Sequence, residues 1–327
     1  MCILVTGATG LIGSALVRQL VAQDASVRIL RRASSPLDAL GETAQQVEHV
    51  VGDLTDPLSV REAVRGITHV YHVAARVDLG ADLRTLRPVN VHGTAHVVDA
   101  ACEEGVARLV HTSSIAALGR PDDSDVLISE ETPWAGTPGR SAYAQTKREA
   151  ELEVHRGIAE GLDATIVNPA LVFGTGRPDA STHRLVEAVR RERLPGVPPG
   201  GTCVVDAEDV ATGMRRAMLH GETGRRYILG SQNMSWARII HTLAAAHGVS
   251  APRRIIPALW LRAAGRAAEA WAWVTRSTPG FSRSMARTAA KTMRYDTTRA
   301  RTELDCTFRP FRDTAARIAA EEKREVA

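Results

Sequence analysis

The chain predicts an α/β fold: a doubly wound parallel sheet followed by a smaller C-terminal α/β lobe. Three observations lead there. Short, nearly all-apolar runs alternate with helical patterns through the first half, as βαβ units covered on both faces require. A glycine-rich turn joins the first apolar run to the first helix. After about Pro169 the alternation loosens, and Pro195, Gly196, Pro198, Pro199, Gly200 and Gly201 mark a loop before shorter elements. Residues 1–170 are therefore read as the sheet domain and 171–327 as mainly a substrate lobe, with some chain returning to the first domain.

In order, strands are expected at Ile3–Thr6, Val27–Leu30, Val47–Val51, Val70–Val73, Leu109–Thr112 and Ala164–Val167, each short and apolar enough to be buried on both sides. Helices are expected at Leu11–Val21, Pro57–Val64, Leu83–Glu104, Tyr143–Glu160 and about His183–Arg193. Pro57, after Thr55 and Asp56, is a good entry signal because its missing N–H is one the first turn leaves unpaired anyway. The lobe should add a strand at Cys203–Val205, a helix entered near Asp209, a strand at Arg226–Leu229 and a helix at Ser235–His247. The stretch Pro257–Val274 reads as an amphipathic helix holding Trp260, Trp271 and Trp273, explained most simply by core packing, with an apolar pocket or a membrane surface as the other readings.

At 327 residues, 44% hydrophobic and 24% charged, the composition excludes a disordered chain, a collagen-like fibre and a disulfide-stapled miniprotein. The formal charge is +4 and the pI about 9.1, but the basic residues read as scattered, so nucleic acid is not an expected partner. Cys2, Cys102, Cys203 and Cys306 have neither zinc nor redox spacing. The opening MCILVTGATG lacks a basic leader and a cleavage site, so a reducing cytoplasm is the expected location, and no apolar run approaches the about 20 residues that span a bilayer.

Thr6-Gly7-Ala8-Thr9-Gly10-Leu11-Ile12-Gly13 lies between the first strand and the first helix. Gly7 permits the tight turn, Gly10 lets backbone approach a pyrophosphate, and Gly13 lets helix pack on strand; the helix N-terminus offers N–H groups to phosphate. The second strand ends at Leu30-Arg31-Arg32, where NAD-preferring folds place an acid for the ribose 2′-hydroxyl. Guanidiniums there suit a 2′-phosphate, so NADP(H) is the expected cofactor, with NAD(H) second.

Tyr143-Ala144-Gln145-Thr146-Lys147 puts a phenol and an ammonium on one helix face. An ammonium so placed should draw the phenol's pKa down from about 10, equipping it to move a proton. The chain has four tyrosines and Lys147, Lys291 and Lys323 as its lysines, so only about 0.04 such pairs arise by chance. His111-Thr112-Ser113-Ser114 closes a strand at the sheet's carboxyl end, where doubly wound folds bind ligands. Ser114 can hydrogen-bond a substrate oxygen there.

With these motifs in hand, the sequence resembles the extended short-chain dehydrogenase/reductases, which carry a Rossmann domain. The likeness rests on TGATGLIG (6–13), Gly52-Asp53-Leu54, HTSSIAALG (111–119) and YAQTK (143–147), in order across nearly the whole chain. Asn168-Pro169-Ala170-Leu171-Val172-Phe173-Gly174, and Arg294-Tyr295-Asp296 with Glu303-Leu304, are similar to the dihydroflavonol-reductase-like, hydroxysteroid-dehydrogenase-like and hopanoid-associated branch. The resemblance implies a Ser114–Tyr143–Lys147 triad, with Lys147 also holding the nicotinamide ribose. It further implies that Asp53 and Leu54 contact the adenine, that Ala74 and Ala75 lie along the cofactor, and that Pro169 meets its nicotinamide end. Asn90 matches a family asparagine near the cofactor, an interior hydrogen bond to backbone being its other reading. Sugar-nucleotide branches often have arginine where this chain has Asn168, which points away from those substrates.

No metal is expected. His92 and His96 share a helix face but lack a third ligand, and Asp206, Glu208 and Asp209 read as a helix entry. The expected function is an NADP(H)-dependent oxidoreductase acting on a carbonyl or secondary alcohol of a mainly apolar small molecule. An NAD-retaining sugar-nucleotide epimerase or dehydratase and a non-catalytic nucleotide-sensing regulator are the alternatives. A small-molecule substrate is the expected partner, with peripheral membrane contact and a homodimer both left open. The pocket should be shaped by 76–87, 120–140, 173–201 and 257–281.

Overall fold

The computed structural model describes residues 2–121, 126–134, 140–176, 180–275 and 282–326. Residues 122–125, 135–139, 177–179 and 276–281 of the expected pocket segments, and the side chain of Trp273, lie outside the described residues.

Seven parallel strands form the main sheet. They are β1 (Cys2–Thr6), β2 (Ser26–Arg31), β3 (Glu48–Val51), β4 (His69–His72), β5 (Arg108–Thr112), β7 (Ala164–Pro169) and β10 (Arg226–Leu229), in the spatial order β10-β7-β5-β4-β1-β2-β3. On one face, Ala15 and Leu16 of α1 (Leu11–Val21) meet Met214 and Ala217 of α7 (Ala207–His220). On the other, α2 (Pro57–Val64), α4 (Gly93–Glu103) and α5 (Ala142–Ala159) contribute Val60, Val97 and Val154 to a second core. Helices on both faces explain why the strands read as unbroken apolar runs. The reversal of strand order between β1 and β4 opens the crevice in which such sheets bind ligands.

The strand at Arg226–Leu229, assigned above to the lobe, instead extends the main sheet, pairing Arg226–Leu229 with Ile166–Pro169. α7 likewise covers that sheet. The lobe proper centres on the three-stranded sheet β11 (Gln232–Ser235), β9 (Gly201–Asp206) and β8 (Leu171–Phe173), with α6 (Ser181–Arg190), α8 (Trp236–His247) and α12 (Phe311–Val326); a separate pair joins β6 (Leu127–Ile128) to β12 (Arg294–Tyr295), which α11 (Thr298–Glu303) follows. Their core holds Phe173, Val204, Ile239 and Ile318, with Phe173 edge-on to Phe311. Asp206 caps α7 through the Glu208 amide, and Glu208 and Asp209 sit in its first turn, so this cluster is the helix entry the sequence suggested.

Two further expectations are corrected. The helix read as Leu83–Glu104 is α3 (Leu83–Arg87) and α4 joined by one wider π turn over Pro88–His92, closed by the Gly93 amide on the Pro88 carbonyl. Pro88 has no N–H for the regular ladder, and a wider turn absorbs the defect. The tryptophan helix is α9 (Ala258–Thr275), but Trp260 and Trp271 are 69% and 71% exposed rather than in the core. Leu261 and Gly265 form the packed face, because α10 (Arg283–Ala290) approaches Gly265 so closely that a Cβ there would lie 3.1–3.2 Å from Ser282, Arg283 and Ala286.

Candidate active site

Because the strands run parallel, Thr6, His72, Thr112 and Pro169 end at one edge, and the segments that follow them gather there. Gly7 takes φ +69°, and a Cβ on it would lie 2.6 Å from the backbone of Ala74; at Gly13 a Cβ would lie 2.1 Å from the Gly7 carbonyl. Both positions are closed to any side chain. Around Gly10, by contrast, only the Gly7 carbonyl, at 3.2 Å, would meet an added Cβ. Gly10 is the N-cap of α1, supplies no side-chain cap, and is followed by no acid in the first turn. The α1 N-terminus thus adjoins a turn in which Gly7, Gly10 and Gly13 present no side chain, the kind of cradle a dinucleotide pyrophosphate requires.

Thr6, expected on the cofactor, is fully buried and turned inward. Its hydroxyl accepts from the Ala74 amide at 3.2 Å and lies 2.8 Å from His72 Nδ1; His72 Nε2 lies 3.0 Å from Thr94 Oγ1, which donates to the Asn90 carbonyl at 2.7 Å. That sequence of donors fixes His72 with hydrogen on Nε2. Burial holds its pKa down at about 3, so it stays neutral. The Asn90 side chain accepts from the Arg76 amide at 2.7 Å and donates to the Arg76 carbonyl and Thr146 Oγ1, both at 3.1 Å. Thr146 in turn donates to the Tyr143 carbonyl at 3.0 Å. One buried chain of hydrogen bonds thus ties the end of β1, before the glycine loop, to the start of α5, with Asn90 clamping the backbone of Arg76, just after Ala74 and Ala75. Sequence reasoning missed His72, Thr94 and Thr146, whose partners lie 66, 22 and 56 positions away.

On α5, capped by Ser141, Tyr143 is half-buried and Lys147 is 1% exposed. Lys147 Nζ donates to the Thr112 carbonyl at 2.7 Å. The Ser114 hydroxyl accepts from the Ala116 amide at 3.1 Å and shares a side-chain hydrogen bond with the Tyr143 phenol, so it both caps a turn and meets the phenol. Burial pushes Tyr143 up to about 12, and the bond to Ser114 only moderates this. The expected lowering by the ammonium is not found: Lys147 is turned to Thr112, and desolvation of the phenolate governs. Lys147 itself is drawn down to about 8 by burial, against the pull of Glu151.

Glu151, one turn beyond Lys147 and fully buried, was not singled out in the sequence. It takes a bond from Arg148 at 3.0 Å and one from Asn168 Nδ2 at 2.8 Å; the same Asn168 nitrogen lies 3.0 Å from the Ser114 carbonyl. Asn168 therefore links the buried carboxylate to the backbone of Ser114. Pro169 follows, buried at the end of β7.

The remaining residues divide. The Asp53 carboxylate is held below its usual range chiefly by the Thr55 amide, with its desolvation opposing and Arg32 adding to the lowering. Leu54 lies in the core, its carbonyl taking a bond from His96 at 2.7 Å, which occupies that histidine. Thr9, Leu11 and Ile12 lie on the partly exposed glycine loop and first turn. Arg31 Nε donates to His49 Nδ1 at 2.8 Å, whereas Arg32 is exposed.

Residues 3–230 match the model of the NAD dependent epimerase/dehydratase family. The chain is 34% identical to the "Putative dihydroflavonol 4-reductase" of Synechocystis sp., over 93% of this chain and 89% of that one. It is also 34% identical to the "Sterol demethylase protein B" of Methylococcus capsulatus, over 93% of each. The crystal structure of gox2253 superposes with TM-score 0.86 at 32% identity, over 99% of this chain and 98% of that one. The dTDP-glucose 4,6-dehydratase DesIV from Streptomyces venezuelae, with NAD bound, gives 0.79 at 21% over 99% and 97%, a likeness of fold alone. Glycine cradle, strand-end serine, YxxxK helix and these relatives agree: the chain belongs to the NAD dependent epimerase/dehydratase family, within the extended short-chain dehydrogenase/reductases, and is an oxidoreductase of that kind.

Proposed function

We propose that this chain is an NADP(H)-dependent reductase or dehydrogenase of a carbonyl or secondary alcohol on a mainly apolar small molecule, working in a reducing cytoplasm. The reading is carried by Tyr143, hydrogen-bonded to Ser114 and one helical turn from a buried Lys147, at the strand ends beside the glycine cradle. The bound nicotinamide supplies or accepts hydride. Gly7, Gly10 and Gly13 would admit the pyrophosphate, Asp53 and the segment at Ala74–Ala75 would flank the nucleotide, and Lys147 would hold the nicotinamide ribose. Ser114 orients the substrate oxygen, and the Tyr143 phenol, kept protonated by burial, delivers its proton as the oxygen gains charge. In the oxidative direction the same oxygen returns the proton to Tyr143.

Arg31 and Arg32 support the choice of NADP(H), with Arg32 exposed and Arg31 donating to His49. Charge-assisted bonds to a 2′-phosphate, discounted for exposure, favour NADP over NAD by about ten- to several-hundred-fold. Asn168, and relatives named for reductase and sterol chemistry, support an apolar substrate. The test is paired: dissociation constants for NADPH and NADH at low salt, with and without R31D/R32N, and a panel of ketones, aldehydes and sugar nucleotides followed by nicotinamide absorbance. Equal cofactor constants, or turnover confined to sugar nucleotides without net cofactor consumption, would move the assignment to the NAD-retaining epimerase reading.

A further inference from the structure

The outer face of α9 is apolar and unpartnered among the described residues. At about 100° per residue, Trp260, Ala263, Ala264, Ala267 and Trp271 fall within an arc of about 100°, with Leu259, Arg266 and Arg262 following along one edge. Trp260, Trp271 and Leu259 are 69%, 71% and 75% exposed, and all three alanines are at least partly so, Ala263, Ala264 and Ala267 being exposed. The tryptophans stand about 16 Å apart along the axis. Two indoles held out of the core on one helix face form a large patch for a monomer to leave in water.

Charge identifies what covers it. From Arg253 to Arg294 the sequence carries nine basic residues against the single acid Glu269. That carboxylate is already taken, by Arg283 Nε at 2.7 Å and by the Arg283 amide at 2.7 Å. Arg253, Arg254, Arg262 and Arg266 are exposed, and none has a carboxylate partner among the described residues. Basic residues that looked scattered along the chain are concentrated here. A second copy docked symmetrically through α9 would set these arginines against themselves with no acid to answer them. A nucleic acid would satisfy the charge but leave the Leu259 and alanine face without an apolar partner. Indoles and leucine flanked by guanidiniums match an anionic lipid surface, where the rings sit at headgroup depth and the arginines meet phosphates.

We propose that α9 docks this protein, reversibly, on membranes containing anionic lipid, with Leu259, Trp260 and Trp271 entering the interface and Arg262 and Arg266 along its edge. The proposal rests on this surface and is independent of the chemistry assigned to the active site. The helix lies on the membrane: no helix among the described residues is long and apolar enough to cross one.

The test is co-sedimentation of the full chain with vesicles of equal parts phosphatidylglycerol and phosphatidylcholine, and with phosphatidylcholine alone, read together with the tryptophan emission maximum. Binding to the anionic vesicles with a blue shift, weakened by salt, is expected. R262E/R266E should weaken partitioning at least about 25-fold, since each arginine near an anionic surface is worth about five-fold. W260S/W271S should abolish the blue shift and most of the binding, while NADPH affinity and melting temperature, which report the intact fold, stay near wild type. The more conservative W260F/W271F should retain part of the binding and serves if the serine variant fails to fold. Failure of the wild-type chain to pellet with anionic vesicles overturns the proposal, as does unchanged binding by both tryptophan variants. Two other results also overturn it: a dimer that the tryptophan variants dissociate without any vesicle binding, and tight oligonucleotide binding in place of lipid binding.

Discussion

Replacing Asn168 by leucine tests whether the buried link from Glu151 to Ser114 matters. The substitution keeps about the same volume but deletes a donor 2.8 Å from a carboxylate and 3.0 Å from the Ser114 carbonyl. A hydrogen bond to a charged group is worth about 1.5–3 kcal/mol and one to a neutral carbonyl about 0.5–1.5 kcal/mol. Arg148, at 3.0 Å from Glu151, keeps part of the first, and removing the buried Asn168 Oδ1, which has no protein partner among the described residues, returns some stability. The net loss is about 1–3 kcal/mol in urea unfolding. Ser114, no longer held through its carbonyl, should drift, lowering kcat about ten-fold or more on the preferred ketone with little change in NADPH affinity. Asn168→Asp sharpens the test by placing a second carboxylate beside Glu151. Its pKa is raised in the folded state, so the folded protein binds more protons than the unfolded one. Stability should then be nearest wild type around pH 4 to 5 and fall as pH rises, by about 1.4 kcal/mol per unit until the folded pKa is passed. Wild-type stability and kcat in Asn168→Leu would refute the link.

Two more predictions follow from the buried bases. The proposed carbonyl reduction would need protonated Tyr143, which burial holds at about 12, and charged Lys147, which burial lowers to about 8; kcat should be flat through neutral pH and decline above about pH 8, and a decline only above about pH 10 would remove Lys147 from that role. His111 is fully buried, its ring nitrogens without hydrogen-bond partners among the described residues, and desolvation, with Lys147 adding, holds its pKa well below normal. Below about pH 6.5 the unfolded chain therefore binds a proton that the folded chain refuses, and stability falls with pH by up to about 1.4 kcal/mol per unit. His111→Leu should reduce that slope by about one proton in urea titrations at neutral and mildly acidic pH, and an unchanged slope would contradict it.

How much of this was legible in the sequence depends on the range of the interaction. α1 and α2 begin and end where Gly10, Pro57 and the neighbouring strands dictate, so local pattern sufficed. Arg226–Leu229 was readable as a strand, but its place beside Ile166–Pro169 is a pairing across some sixty residues that periodicity does not encode. In α9, Leu259, Trp260 and Leu261 are consecutive apolar residues, so the pattern could not say which faces inward; the approach of α10 to Gly265 decides it. Tyr143, Lys147 and Ser114 were visible as residue types at a spacing. The direction of the Tyr143 shift was not, because desolvation depends on what the fold lays over the phenol. The inward turn of Thr6 onto His72 was hidden for the same reason.

The proposed chemistry turns on the proton of Tyr143. In Tyr143→Phe, turnover of the preferred ketone should fall at least about 100-fold, while the NADPH dissociation constant, read from nicotinamide fluorescence, stays within about two-fold because the phenol's oxygen alone is lost. Retention of more than about a tenth of the wild-type rate, with the cofactor still bound, would contradict the assignment of Tyr143 as the group that moves the proton.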